Sequence, residues 1–160
     1  MAALRSGNSI RYASVLREDS MASGILPLLA RILLAAMFLS SGYAALSDVA
    51  GAASYFAGLG LEPAAALAWA VGIFEIVAGA LLVIGFQTRP TAALLAAFSL
   101  VASFLGHYGQ GGDDAMAAFM HSQALLKDIA VAGGMTLLAI HGPGPLSLDA
   151  WRTGRGSQTP

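Results

Sequence analysis

The sequence predicts an all-α protein that crosses a membrane as an antiparallel bundle of four helices, and three observations support this. Of its 160 residues, 57% are hydrophobic and only 11% are charged, whereas a soluble domain carries about a quarter charged residues. The apolar residues form four runs, and each is long enough, at about 1.5 Å per residue, to cross about 30 Å of hydrocarbon. Short segments rich in Gly, Pro and Asp separate the runs and mark them as individual helices.

The boundaries of the spans follow from helix-starting and helix-stopping residues. The connector 87–89 is so short that spans two and three should form a tight antiparallel hairpin, with Pro63 and Pro90 near their starts. The mixed segment 47–63 is expected to be an interfacial helix or half-buried loop. Asp113 and Asp114 favour the start of the last helix. The predicted spans cover residues 25–46, 64–86, 90–108 and 119–140.

The basic residues outside the spans predict the orientation of the chain. Residues 1–24 should form a flexible basic arm, with either Met1 or Met21 as the start, and residues 142–160 a polar tail. The two loops between spans one and two and between spans three and four contain no Lys or Arg. By the positive-inside rule both termini are therefore cytoplasmic. The basic residues that decide this are Arg5, Arg11, Arg17, Arg89, Arg152 and Arg155.

Four charged residues lie inside the predicted spans, namely Arg31, Glu75, Lys127 and Asp128. Inserting a charge at mid-span costs about 2.5–3.5 kcal/mol on translocon scales, so we expect these side chains to face each other rather than lipid. Glu75 has about eleven residues of its apolar span on either side. Its short side chain cannot extend to water, so it must be paired, protonated or beside a hydrated cavity.

Two interpretations of these charges stay open. In the first, a polar cluster in the bundle core holds a polar ligand or relays protons, and Arg31 extends toward Glu75. In the second, the charges form buried ion pairs that only fix which helices are neighbours, or Arg31 extends to the inner surface. Lys127 and Asp128 point about 100° apart on a helix, so both cannot face one partner. The candidate cluster comprises Glu75, Lys127, Asp128, His107 and Tyr43.

Metal chemistry has little support in the sequence. The chain has no cysteine, and its three histidines, His107, His121 and His141, have no ligand spacing. We expect no metal site and no intrinsic cofactor. The small residues Gly72, Ala78, Gly79, Gly133 and Gly134 are expected to allow close helix packing instead.

Several segments, in their order and spacing, carry a family resemblance. They are Arg31 in a span ending Ser41-Gly42-Tyr43, Tyr55-Phe56-Ala57-Gly58-Leu59-Gly60, Gly72-Ile73-Phe74-Glu75, the run Leu81 to Arg89, His107, Leu126-Lys127-Asp128 and the run Gly142 to Asp149. Over residues 30–149 the chain resembles the DoxX family of small four-helix bacterial membrane proteins. A lysine expected near the outer end of the first span is absent here, which puts in doubt any contact it makes in other members.

The resemblance implies a link to membrane oxidoreductase assemblies, including thiosulfate:quinone oxidoreduction and oxidative-stress complexes with partner enzymes. It also implies a bacterial inner-membrane location. The positions that it singles out are Arg31, Glu75, Arg89, His107, Lys127 and Asp128.

Three functions therefore stay open. The first is a membrane subunit of a redox complex whose polar cluster binds quinone or moves protons. The second is a structural or assembly protein without catalysis, and the third, weaker one is a small-solute transporter. The sequence shows no autonomous catalytic motif, so whether the chain is an enzyme is undecided. We expect lipid and protein partners and no nucleic acid.

Overall fold

The computed structural model of the chain describes the backbone of residues 2–154 and the side chains of residues 24–154. In this part of the chain there are six helices and no strand. The helices are α1 (Ala2–Ser47), α2 (Val49–Gly58), α3 (Ala64–Ile84), α4 (Thr88–His107), α5 (Ala115–His141) and α6 (Leu148–Arg152).

Four segments are long and apolar enough to cross a membrane, which confirms the predicted four-span fold. They are Gly24–Ser47 of α1 and the whole of α3, α4 and α5. The last begins at Ala115 because Asp114 caps it, with a carboxylate oxygen that accepts from the amides of Met116 and Ala117 at 2.9 and 3.1 Å. On which side of the membrane the termini lie stays a prediction.

Two parts of the predicted domain plan fall partly outside the described residues. The structure gives residues 2–24 a helical backbone within α1, where the sequence predicts a flexible arm. The side chains before residue 24 are not described, and the flexibility of the arm and the choice between Met1 and Met21 stay predictions. Of the tail, residues 155–160 lie outside the described part.

The helices associate chiefly as two pairs, α1 with α3 and α4 with α5. Between α1 and α3 the backbones approach closely because glycines lie in the contact. A Cβ added at Gly72 would lie 2.7 Å from Leu46, and one added at Gly79 would lie 2.9 Å from Leu39. This role of Gly72 and Gly79 agrees with prediction, whereas a Cβ at Gly133 would meet nothing within 4 Å.

The predicted tight hairpin of spans two and three is wrong in one respect. The connector between α3 and α4 is short, but these helices contact each other far less than either contacts its pair partner. The small residues that permit close packing of α3 face α1 instead. The apolar core between the pairs contains the fully buried side chains Ala35, Phe38, Leu82, Leu95 and Met135.

The segment after α5 folds back onto the end of the bundle at which Arg89 lies, here called the Arg89 end. The carboxylate of Asp149 accepts hydrogen bonds from the backbone amides of Gln87 and Thr88, both at 2.8 Å, and its own amide donates to Gly85 O at 2.9 Å. Asp149 thus caps α4 from a distant part of the chain. Burial opposes its ionisation, but the hydrogen bonds from Thr88 and Gln87 and the charge of Arg152 together outweigh burial and lower the pKa of Asp149.

Candidate functional site

A cavity rich in ionisable residues lies at the opposite end of the bundle, here called the His107 end. It has a volume of about 450 Å³, and residues of α1 to α5 line it, with α2 covering one side. Its walls are mostly apolar, including Phe38, Phe56, Leu67, Val71, Phe98 and Leu105. Its polar lining consists of Ser41, Tyr55, Glu75, Ser99, His107, Lys127 and Asp128.

Glu75 lies in the middle of α3 and is buried, with only 5% of its surface exposed. Its position follows from the α1–α3 contact, because a Cβ at Gly42 would lie 3.0 Å from the Glu75 Cβ. The Ser41 side chain hydrogen-bonds to the carboxyl group. Oε2 is buried and has no hydrogen-bond partner among the described residues. A buried polar atom without a partner costs free energy, which a ligand or water in the cavity would relieve.

A chain of polar contacts continues from the cavity toward the end of the bundle. His107 Nε2 lies 3.7 Å from Asp128 Oδ2, and His107 Nδ1 lies 3.0 Å from His121 Nδ1. In the contact between the two histidines, one Nδ1 must carry a proton and donate it to the other Nδ1, which accepts. When both rings are neutral, one is therefore protonated at Nδ1 and the other at Nε2. His121 and His107 are close enough to pass a proton directly, whereas the 3.7 Å between His107 and Asp128 requires a water molecule between them for proton transfer.

Lys127 and Asp128 are adjacent in α5, and the sequence predicts that their side chains do not face one partner. The structure places Lys127 Nζ 3.0 Å from Asp128 Oδ1, so the two residues pair with each other. The long Lys127 side chain bends back to do so and stays 59% exposed, whereas Asp128 is 15% exposed and alone reaches His107. The two Cα–Cβ bonds point in different directions, but the lysine side chain is long enough to reach the carboxylate.

Tyr55 of α2 contributes a hydroxyl at the same end. It donates to the carbonyl of Gly106 at 3.4 Å, and the glycine is needed there because a Cβ would lie 2.5 Å from the hydroxyl oxygen. Burial, and then the charge of Asp128, raise the pKa of Tyr55. The hydroxyl therefore stays protonated at neutral pH and remains a hydrogen-bond donor.

Three predicted site residues are not part of this cavity. Tyr43 is 70% exposed and does not line it. Arg31 and Arg89 both lie at the Arg89 end. Arg31 is fully buried, its Nη2 donates to Leu146 O, and it packs against Gly85, about 15 Å along α3 from Glu75. It therefore neither extends toward Glu75 nor extends into water.

Sequence reasoning did not include Ser41, Tyr55 and His121 among the site residues. His121 lies seven residues before Asp128, two turns away on the same face of α5, and this spacing was the available signal. No comparable signal exists for Ser41 and Tyr55, whose placement depends on the contacts of α1 with α3 and of α2 with α4. Among residues 24–154 no group of three or more His, Cys, Asp or Glu side chains could hold a metal ion.

Comparison of the sequence with known proteins identifies the family of the chain. Residues 26–108 match the DoxX family. The chain belongs to the DoxX family. The matched DoxX region contains Glu75 and His107 but ends before α5, which supplies Lys127 and Asp128.

Two relatives of this DoxX protein come from Escherichia coli K12. Inner membrane protein YphA is 34% identical over 143 residues, which are 89% of this chain and 98% of its own. Inner membrane protein YqjF is 34% identical over 122 residues, which are 76% of this chain and 88% of its own. No solved structure matches this DoxX chain.

Proposed function

We propose that this DoxX protein is an inner-membrane subunit of a redox complex and that its cavity at the His107 end binds the head group of a quinone. The observation that carries the proposal is Glu75 Oε2, a buried carboxyl oxygen without a described partner, on a residue that lines an otherwise mostly apolar cavity. A volume of about 450 Å³ lies within the usual range of small-molecule sites, about 300–1,000 Å³.

The lining suits a quinone in two respects. The aromatic and aliphatic walls match an apolar ring that partitions into lipid. The carbonyl oxygens of a quinone accept hydrogen bonds. A protonated Glu75 carboxyl can donate one, and the Tyr55 hydroxyl can donate another by exchanging its long 3.4 Å contact with Gly106 O for the ligand. A ligand of this class would therefore satisfy Glu75 without placing a charge in the bilayer.

Reduction of a quinone to a quinol consumes two electrons and two protons. This chain has no cysteine and we assign it no redox group, so a partner enzyme must supply the electrons. Its own residues would supply the protons. Glu75 would donate one directly, and the chain His121–His107–Asp128, with contacts of 3.0 and 3.7 Å, would deliver protons from the His107 end of the bundle.

The location supports a complex of this kind. The two relatives carry the words inner membrane in their names, and the basic residues outside the spans favour cytoplasmic termini. In this orientation the quinone cavity lies in the outer half of the bilayer. Proton uptake through the chain would then come from the outer side.

A structural or assembly role is the second candidate, and the Arg89 end favours it. There Arg31 and Asp149 bond to backbone groups of the chain itself, at Leu146 and at Gln87 and Thr88. These charges serve the fold and do not line the quinone cavity. If the charges at the His107 end also served only the fold, the cavity would bind no quinone.

Binding of short-chain ubiquinone and menaquinone analogues to the purified protein in mild detergent tests the proposal. We expect saturable binding of at least one analogue by calorimetry and about tenfold weaker binding by Glu75→Leu, which removes the carboxyl O–H donor and leaves a side chain of similar size. Asp113→Asn is the matched control, because this exposed loop carboxylate makes no hydrogen bond or ion pair with the described residues. Absence of binding, or equal binding by wild type and Glu75→Leu, would contradict the proposal.

A further inference from the structure

A second cavity, of about 620 Å³, lies at the Arg89 end. The α3–α4 connector, the end of α5 and the segment that contains α6 enclose it. Three basic side chains line it, Arg89, His141 and Arg152, against one acidic side chain, Asp149. The cavity is independent of the quinone site, which lies at the other end of the bundle.

The acidic residue does not neutralise the arginines by direct pairing. Both carboxylate oxygens of Asp149 are occupied by the backbone amides of Gln87 and Thr88. Among residues 24–154, neither Arg89 nor Arg152 has a carboxylate oxygen within ion-pair distance. Asp149 attracts Arg152 through space, but neither guanidinium group that lines the cavity forms an ion pair within the described chain.

Both guanidinium groups are held in place by local packing. Arg152 lies over the ring of Phe86, with 5.2 Å from its Cζ to the ring centroid. Arg89 lies against Gly142, where a Cβ would come within 3.2 Å of Nε, and the φ of +88° at Gly142 also favours glycine. Although both side chains are exposed, these contacts reduce the conformational freedom that a ligand would have to remove.

Apolar surface adjoins the charged cavity. Leu137, Ile140 and Leu146 are each more than half exposed, and Trp151, next to Arg152, is 74% exposed. A tryptophan beside an arginine is typical of the boundary between lipid and water. A ligand with a phosphate in the cavity could therefore lay its hydrocarbon along α5.

We propose that this cavity binds the phosphodiester of an anionic phospholipid. Two guanidinium groups suit the two non-bridging oxygens of a phosphodiester, which share one negative charge, and arginine forms directed, charge-assisted hydrogen bonds with such groups. Basic cavities between helices at the cytoplasmic surface are a recurrent form of lipid recognition. A phospholipid fits better than free phosphate because the exposed apolar surface of α5 would be covered as well.

Fluorescence of Trp151 measures the binding directly once Trp69 is replaced by Phe. The purified protein is titrated in mild detergent with short-chain phosphatidylglycerol and, separately, with phosphatidylcholine, whose choline group the arginines repel. We expect phosphatidylglycerol to bind more tightly. Arg89→Gln and Arg152→Gln should each weaken it about fivefold, and Arg152→Lys, which keeps the charge, should weaken it less than Arg152→Gln.

Three controls show whether the lipid binds at this cavity. Lys127→Gln removes a positive charge at the opposite end and should leave the binding of phosphatidylglycerol unchanged, whereas an equal loss would indicate nonspecific attraction and contradict the proposal. Equal affinity for the two lipids, or displacement of the lipid by inorganic phosphate at matched concentration, would overturn it. Thermal unfolding in phosphatidylcholine shows which variants are folded. If Arg89→Gln does not fold, Arg152→Gln decides the test, because the Arg152 side chain is exposed.

Discussion

Replacing Asp149 by Asn should weaken the packing of the segment after α5 against the Arg89 end of the bundle. In the native protein both carboxylate oxygens accept backbone amides at 2.8 Å, from Gln87 and Thr88. An amide side chain offers one acceptor oxygen, so Asp149→Asn would leave one amide facing an NH₂ group. The variant therefore loses one hydrogen bond and the negative charge, which weakens the cap of α4.

The size of the effect follows from these contacts. Loss of a helix cap costs about 0.5–2 kcal/mol, and a hydrogen bond to a charged group contributes about 1.5–3 kcal/mol. Asp149 is partly exposed, so we expect the free energy of unfolding to fall by about 2 kcal/mol, where the two ranges overlap. For a domain of this size that lowers the Tm by about 4–8 °C. Circular dichroism of thermal unfolding in mild detergent measures it.

The pH dependence supplies a second readout. The pKa of Asp149 is lowered in the folded protein from the ordinary 3.8. Its contribution is therefore fully present above pH 3.8 and is lost as the pH falls through the lower folded pKa. The difference in Tm between wild type and Asp149→Asn should be constant at neutral pH and shrink in acid. An unchanged Tm at pH 7, or a Tm loss equal to that of the exposed control Asp113→Asn, would refute the capping role.

Three further predictions concern packing, the buried arginine and orientation. Gly72→Val should destabilise the α1–α3 contact by about 1–3 kcal/mol through overpacking, measured as a Tm decrease, whereas Gly133→Ala, with open space around its Cβ, should not. Arg31→Ala should destabilise the protein more, by about 2–4 kcal/mol, because it leaves a cavity and an unpaired Leu146 carbonyl; a native Tm would contradict this. Since the chain has no cysteine, Arg89→Cys should react with an impermeant maleimide in inverted vesicles and not in spheroplasts, and the reverse result would invert the topology.

The four spans could be predicted because the length of an apolar run sets the length of a membrane helix almost independently of its neighbours. The cap of α5 at Asp114 was predictable for a similar reason, since a cap depends on local sequence, although the predicted span begins at residue 119 and the helix begins at Ala115. Glu75, His107 and Asp128 meet in one cavity partly because alternate spans run in opposite directions, which fixes their depths.

The lateral arrangement could not be predicted from these local signals. That α3 packs closely on α1 rather than on α4 depends on how Gly72 and Gly79 fit side chains of a distant helix. The partner of Arg31 is a backbone carbonyl, 115 residues along the chain at Leu146. A backbone carbonyl cannot be recognised as a partner from the sequence. Arg31 therefore looks like an unpaired charge in the sequence and is predicted to be a site residue.

The most direct test of the quinone-binding cavity is photolabelling with an azido-quinone, followed by mapping of the labelled peptides. We expect label on residues that line the cavity in α1, α3 and α4, near Phe38, Val71 and Phe98. Excess unlabelled quinone should remove this label, and Glu75→Leu should weaken it. Label confined to lipid-facing residues such as Leu33 and Leu94, unchanged in Glu75→Leu, would contradict a quinone site in this cavity.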